Sequence, residues 1–141
     1  MYFKPLLLPL LAQVALTFLV MLVMYHRRVS EMKARRIDPQ RAQTRSAVHG
    51  VLPDSESASN NYSNLFESPL LFYVAILLTL ILMVQDSILV ALAWTYVASR
   101  YVHSLIHVTY NRVMHRFSVF IFSCFVLLAM WVRLGWIIIQ A

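Results

Sequence analysis

From Arg100 to Arg116 the chain reads R-Y-V-H-S-L-I-H-V-T-Y-N-R-V-M-H-R. On a helix of 3.6 residues per turn, Arg100, His103, Ser104, His107 and Asn111 share one face, and Arg100 and His107 stand only about 20° apart. An ionisable side chain at the centre of a bilayer costs about 2.5–3.5 kcal/mol on insertion scales, so such a stripe faces a bundle interior or a wet cavity and marks a functional site. Arginine can hold an anion there, and histidine can donate a hydrogen bond or carry a proton. Arg100 could instead form an ion pair with Glu67 that only stabilises the bundle. His103 and His107, at i and i+4, could also share a metal ion, to which His26, His49 and His115 could add ligands, and a pair of intramembrane histidines could hold haem. No clear carboxylate set completes such a site, and no metal ligand is assigned.

The surrounding chain must place that stripe in a membrane. Its 141 residues are 60% hydrophobic, with a mean hydropathy of +0.68, which suits one small integral membrane domain and not a soluble one. The net charge of +6 is concentrated beside apolar segments, so it reads as topology; nucleic acid is not expected as a partner. A single cysteine, Cys124, excludes an internal disulfide and a thiolate metal site, and two glycines leave no phosphate-wrapping loop. Cys124 itself is read as a small apolar residue.

The hydropathy pattern predicts four spans, at about 6–25, 65–84, 88–111 and 117–139, with Arg112 to Arg116 making a tight turn before the last. Between the first two lies a loop, 26–64, holding Arg27, Arg28, Lys33, Arg35, Arg36, Arg41 and Arg45 and then a Ser/Asn-rich stretch. The positive-inside rule places this loop in the cytoplasm and both termini outside. Pro39 and Pro53 argue against one continuous helix there, although Val29 to Ile37 could prolong the first span. Ser63 or Asn64 suits an N-cap for the second span, with Glu67 in its first turn and Pro69 close behind. Arg133 is expected to snorkel to the outer interface, and Trp94, Trp131 and Trp136 to act as core or interface anchors. Short links between the last three spans imply antiparallel neighbours in an all-α bundle. Glu67, His107, Asn111 and Arg116 then lie at the same end of their helices, where they can line one polar pocket.

These residues carry a family resemblance. N-L-F-E-S-P at Asn64 to Pro69 resembles the Asn-x-x-Glu signature of the MAPEG family, the membrane-associated proteins of eicosanoid and glutathione metabolism. Arg100, His103 and His107 are similar to its Arg-x-x-(Tyr/His)-x-x-x-Tyr pattern, and Arg116 stands where members place an arginine at the start of the fourth helix. The likeness runs from Leu6 to Ile139, as a divergent, bacterial-type member, which would place the chain in a cytoplasmic membrane. Ser63 stands where glutathione-using members commonly have arginine, and His107 replaces the usual tyrosine.

The resemblance implies a homotrimer of four-helix subunits, with glutathione as co-substrate between neighbouring subunits and a lipophilic electrophile or hydroperoxide as second substrate. It makes Asn64, Glu67, Arg100, His103 and His107 glutathione contacts, and Arg116 the group facing the sulfur. The alternative is a non-catalytic accessory or scaffold subunit of a larger membrane complex, whose polar stripe merely joins helices, as interhelical polar contacts often do in membranes.

Overall fold

The computed structural model describes residues 4–42 and 50–140. Arg45 and His49 lie outside the described residues. Five helices make up most of them: α1 (Lys4–Ala34), α2 (Glu56–Asn64), α3 (Ser68–Ile81), α4 (Ser87–Val108) and α5 (Val113–Gln140). Two short 3-10 turns, Pro39–Ala42 and Pro53–Ser55, lie between α1 and α2, each opening on one of the prolines that forbid a continuous helix.

Both ends of the stretch 26–64 are helical, the first as the prolongation of the first span that Val29 to Ile37 allowed. α1 spans 31 residues, about 46 Å at 1.5 Å per residue, and overshoots a hydrocarbon core of about 30 Å. Its extension is built from arginine, methionine, glutamate and lysine, which favour helix wherever water surrounds them. The far end of the loop is helical as well, as α2. Glu31 joins the two: its carboxylate is buried and accepts from the backbone N–H of Asp54 at 3.0 Å and of Ser55 at 2.8 Å.

The second span is also built differently. Asn64 is the last residue of α2 and not a cap of the next helix; the N-cap of α3 is Glu67, whose side chain makes no capping bond. Pro69 explains the break, because its ring cannot pack against the carbonyl of Leu65 in a continuous helix. Residues 65–67 therefore form a turn, with the Phe66 amide donating to Ser63 at 3.0 Å.

The antiparallel α4 and α5 share the most extensive contact in the molecule. Asp86 caps α4, its Oδ1 accepting from the Leu89 amide at 2.8 Å. The turn between α4 and α5 falls at residues 109–112, and Asn111 closes it at φ 47°, a left-handed conformation that asparagine tolerates. Asn111 is therefore not part of the helical stripe, and Arg116 sits inside α5 instead of a loop. The core packs Phe72 and Ile76 of α3 against Tyr96 and Val97 of α4 and Leu127 and Met130 of α5. Leu11, Phe18, Leu22, Leu77, Phe125 and Val132 remain exposed, an arrangement suited to lipid and not to water. Pro5–Ala34, Pro53–Ile81 and Val113–Gln140 are long and apolar enough to cross a membrane. α4 is the fourth helix, 22 residues long, and carries the polar stripe.

Candidate functional site

Arg100, His103, Ser104 and His107 are all buried on α4, so the stripe faces the bundle interior. Arg100 is completely inaccessible. Its Nη2 reaches the Asn64 carbonyl at 3.5 Å, and its Cζ lies 5.8 Å from the centre of the Phe120 ring. Nε and Nη1 find no acceptor among the described residues. The ion pair with Glu67 is not formed: Glu67 is exposed and makes no salt bridge among the described residues.

Arg116 sits in the first turn of α5, which carries no acid. Its Nη1 donates to Asn111 Oδ1 at 2.8 Å and approaches His107 Nε2 at 3.2 Å. A guanidinium only donates, so the neutral imidazole accepts at Nε2 and carries its proton on Nδ1. That Nδ1, like Nδ1 of His103, is buried without a partner among the described residues. The two imidazoles lie edge to face with centroids 5.8 Å apart. No group of three or more His, Cys, Asp or Glu placed to hold a metal ion occurs among the described residues.

Asn64, Glu67, Val113, Arg116, Phe117 and Phe120 line a cavity of about 200 Å³. The turn at 65–67 brings Asn64 and Glu67 to it from one side, and the start of α5 brings Arg116 from the other. His107 joins through its contact with Arg116. Arg100 and His103 lie deeper along α4, with the Phe120 ring 6.0 Å from His103. Tyr96 anchors this wall by stacking on Phe72 at 4.8 Å and donating to Ser68 Oγ at 3.2 Å.

Sequence reasoning missed Asn61. It is fully buried on α2, accepts from Ser104 Oγ at 3.2 Å, and keeps an Nδ2 with no acceptor among the described residues. Only the i, i+3 spacing of Asn61 and Asn64 hinted at it, and that hint requires α2 to be helical. Arg27, whose charge reads chiefly as topology, also donates its Nη2 to the Val108 carbonyl at 2.6 Å and caps α4. Ser63, where an arginine was the family expectation, returns its hydroxyl to the Ser59 carbonyl of its own helix at 3.1 Å.

At the opposite end of the bundle, Arg133 does not merely snorkel. Its Nη2 and Nε lie 2.6 and 3.2 Å from Asp86 Oδ2, and this guanidinium holds the Asp86 carboxyl below its ordinary 3.8.

No curated relative and no solved structure matches the chain. The profile of the MAPEG family matches residues 6–136, nearly the whole length, and takes in every residue of the cavity and the stripe. With an all-helical membrane fold and the matching residues gathered at one end of it, this chain belongs to the MAPEG family, as a membrane protein of glutathione and eicosanoid metabolism.

Proposed function

We propose that the protein is a glutathione-dependent transferase or peroxidase acting on a lipophilic electrophile or hydroperoxide dissolved in the membrane. The observation that carries this reading is the convergence of Asn64, Glu67 and Arg116 on one cavity, backed by buried donors of Arg100 and Asn61 that lack partners among the described residues. A carboxylate rim suits an ammonium group or amide, and unpaired guanidinium and amide donors suit carboxylates. A tripeptide thiol carries both kinds of group.

Arg116 acts on the sulfur. A thiol of pKa about 8.5 is mostly protonated at neutral pH, and lowering it by two units requires about 2.7 kcal/mol of preferential thiolate stabilisation. A unit-charge pair at 4 Å and an effective dielectric of 20 is worth about 4 kcal/mol before desolvation, so one arginine is sufficient. The first turn of α5 adds its positive dipole end. In the transferase reaction the thiolate attacks an electrophilic carbon, forming a C–S bond as the leaving group departs. In the peroxidase reaction it attacks a hydroperoxide oxygen, releasing the lipid alcohol; a second glutathione then converts the sulfenic acid to disulfide and water.

At about 200 Å³ the cavity falls short of the roughly 300 Å³ of the smallest ordinary ligand sites. In the homotrimer that the family resemblance implies, a neighbouring subunit would supply the remaining wall, with glutathione held between subunits. The seven basic residues after the first span orient the cavity toward the cytoplasm, both termini facing outward.

Calorimetry of the detergent-purified protein with glutathione tests this, with Arg116→Ala and Glu67→Ala beside the parent. Binding by the parent that both substitutions weaken supports the site. A parent that ignores millimolar glutathione overturns it, and leaves the accessory-subunit reading.

A further inference from the structure

We propose that the groove between α1 and the α2–α3 turn binds one anionic phospholipid of the leaflet on the basic side, its acyl chain along Val14 to Met21 and its headgroup at Arg28. The turn at 65–67 divides two cavities. Asn64 and Glu67 face the polar one described above, while Leu65 and Phe66 line a separate cavity of about 420 Å³ with Val14, Thr17, Met21 and Tyr62. The glutathione reading does not involve this second space.

Its ligand class follows from the profile of α1. Val14, Phe18, Met21, Tyr25 and Arg28 recur at helical spacing within an arc of about 80°. That stripe runs from apolar residues through an aromatic ring to a cation, the order in which a leaflet presents acyl chain, interface and headgroup. The rise from Val14 to Arg28 is about 21 Å, and one leaflet measures about 15 Å of hydrocarbon plus about 5–7 Å of headgroup.

Arg28 is also the cation with donors to spare. Arg27 is engaged by the Val108 carbonyl, whereas Arg28 makes one side-chain bond, Nη2 to Ser59 Oγ at 3.3 Å, and its buried Nε has no acceptor among the described residues. Glu31, one turn further, does not neutralise it, because that carboxylate is occupied by the Asp54 and Ser55 amides and by Arg35 Nε at 3.2 Å. Lys33 and Arg36 continue the positive charge beyond the membrane, while Arg35 is paired with Glu31 and Asp54; such a juxtamembrane pattern attracts anionic lipid. A free anion would have no use for the groove, and a zwitterionic lipid brings its own cation beside the phosphate, which offsets its attraction to the guanidinium.

Native mass spectrometry of the full chain in detergent tests this, with dioleoyl phosphatidylglycerol, dioleoyl phosphatidylcholine, oleate and glycerol 3-phosphate as separate probes. The parent should retain phosphatidylglycerol in preference to the other three. Arg28→Gln should weaken that binding about 5-fold and leave phosphatidylcholine unaffected. Val14→Trp, which fills the groove, should weaken both lipids, and Arg41→Gln should change neither. Equal retention of the two phospholipids by the parent, or unchanged phosphatidylglycerol binding in Arg28→Gln, overturns the proposal. Oleate or glycerol 3-phosphate binding as tightly as phosphatidylglycerol overturns it as well, assigning the site to a free fatty acid or a free phosphate.

Discussion

The two ends of the bundle each set an arginine of α5 against a residue at an end of α4, and they treat it in opposite ways. At one end Arg133 meets Asp86 at 2.6 Å, and its charge is cancelled within the chain. At the other, Arg116 meets only neutral acceptors, His107 Nε2 and Asn111 Oδ1, while the nearby Glu67 forms no ion pair with it. The first end is closed electrostatically, and the second keeps a positive charge on offer. Arg100 deepens the contrast: it is fully buried, yet two of its three nitrogens lack partners among the described residues. Such groups are costly in folding; Gln13 and Trp131 Nε1 also lack partners among the described residues, so what sets this end apart is the uncancelled charge of Arg100 and Arg116.

Four substitutions would break or sharpen this contrast. The largest effect is expected from Arg116→Ala, which should reduce glutathione-dependent turnover about 100-fold, or about 2.7 kcal/mol. Its stability cost should stay near 1 kcal/mol, because neutral partners are left behind; a loss of stability matching the loss of rate would make Arg116 a structural residue. Arg133→Ala should do the reverse. It strips the cation from an Asp86 side chain only 11% exposed, costing about 1 kcal/mol in denaturant unfolding, with glutathione affinity unchanged in calorimetry.

A smaller effect separates burial from function at Arg100. Arg100→Met removes a buried charge with unmet bonds, and the detergent-solubilised variant should be as stable as the parent or more stable by about 1 kcal/mol. Glutathione affinity should nonetheless drop. A destabilised variant would show that Arg100 holds the bundle together. The smallest effect is a pH dependence at the closed end. Arg133 keeps the folded Asp86 carboxyl below its ordinary 3.8, so the pair's contribution is complete above that value and is lost as pH falls through the lower folded pKa. Melting between about pH 5 and pH 2.5 should show this acid limb, worth under about 1 kcal/mol for a partly exposed pair, and Asp86→Asn should flatten it.

The fold was legible where one property dominated a long segment. The last three helices fall within a few residues of the hydropathy windows, because the requirement for about 20 apolar residues leaves little freedom. Within residues 26–64 the possible extension over Val29 to Ile37 was left open and the helix at Glu56–Asn64 was not seen, because the same signal is silent outside the membrane: a polar, basic run is compatible with loop or helix. There the helix is decided by propensity and by Glu31 binding the amides of Asp54 and Ser55, across a sequence distance that no local pattern reveals. The Asn64 to Pro69 motif was read with the wrong local geometry, since Pro69 ends one helix and begins another instead of extending a capped one.

By itself the sequence determined the membrane-protein class and the family, and it nominated Asn64, Glu67, Arg100, His103, His107 and Arg116 as candidate polar site residues. Each follows from residue type and spacing, which survive in one dimension. Only the tertiary structure decided which of them face one another. It placed Asn64, Glu67 and Arg116 around a cavity, tied His107 to Arg116, left Arg100 without an acid, and matched Arg133 with Asp86. Pairing of charges depends on distances between helices, and sequence separation does not encode those distances.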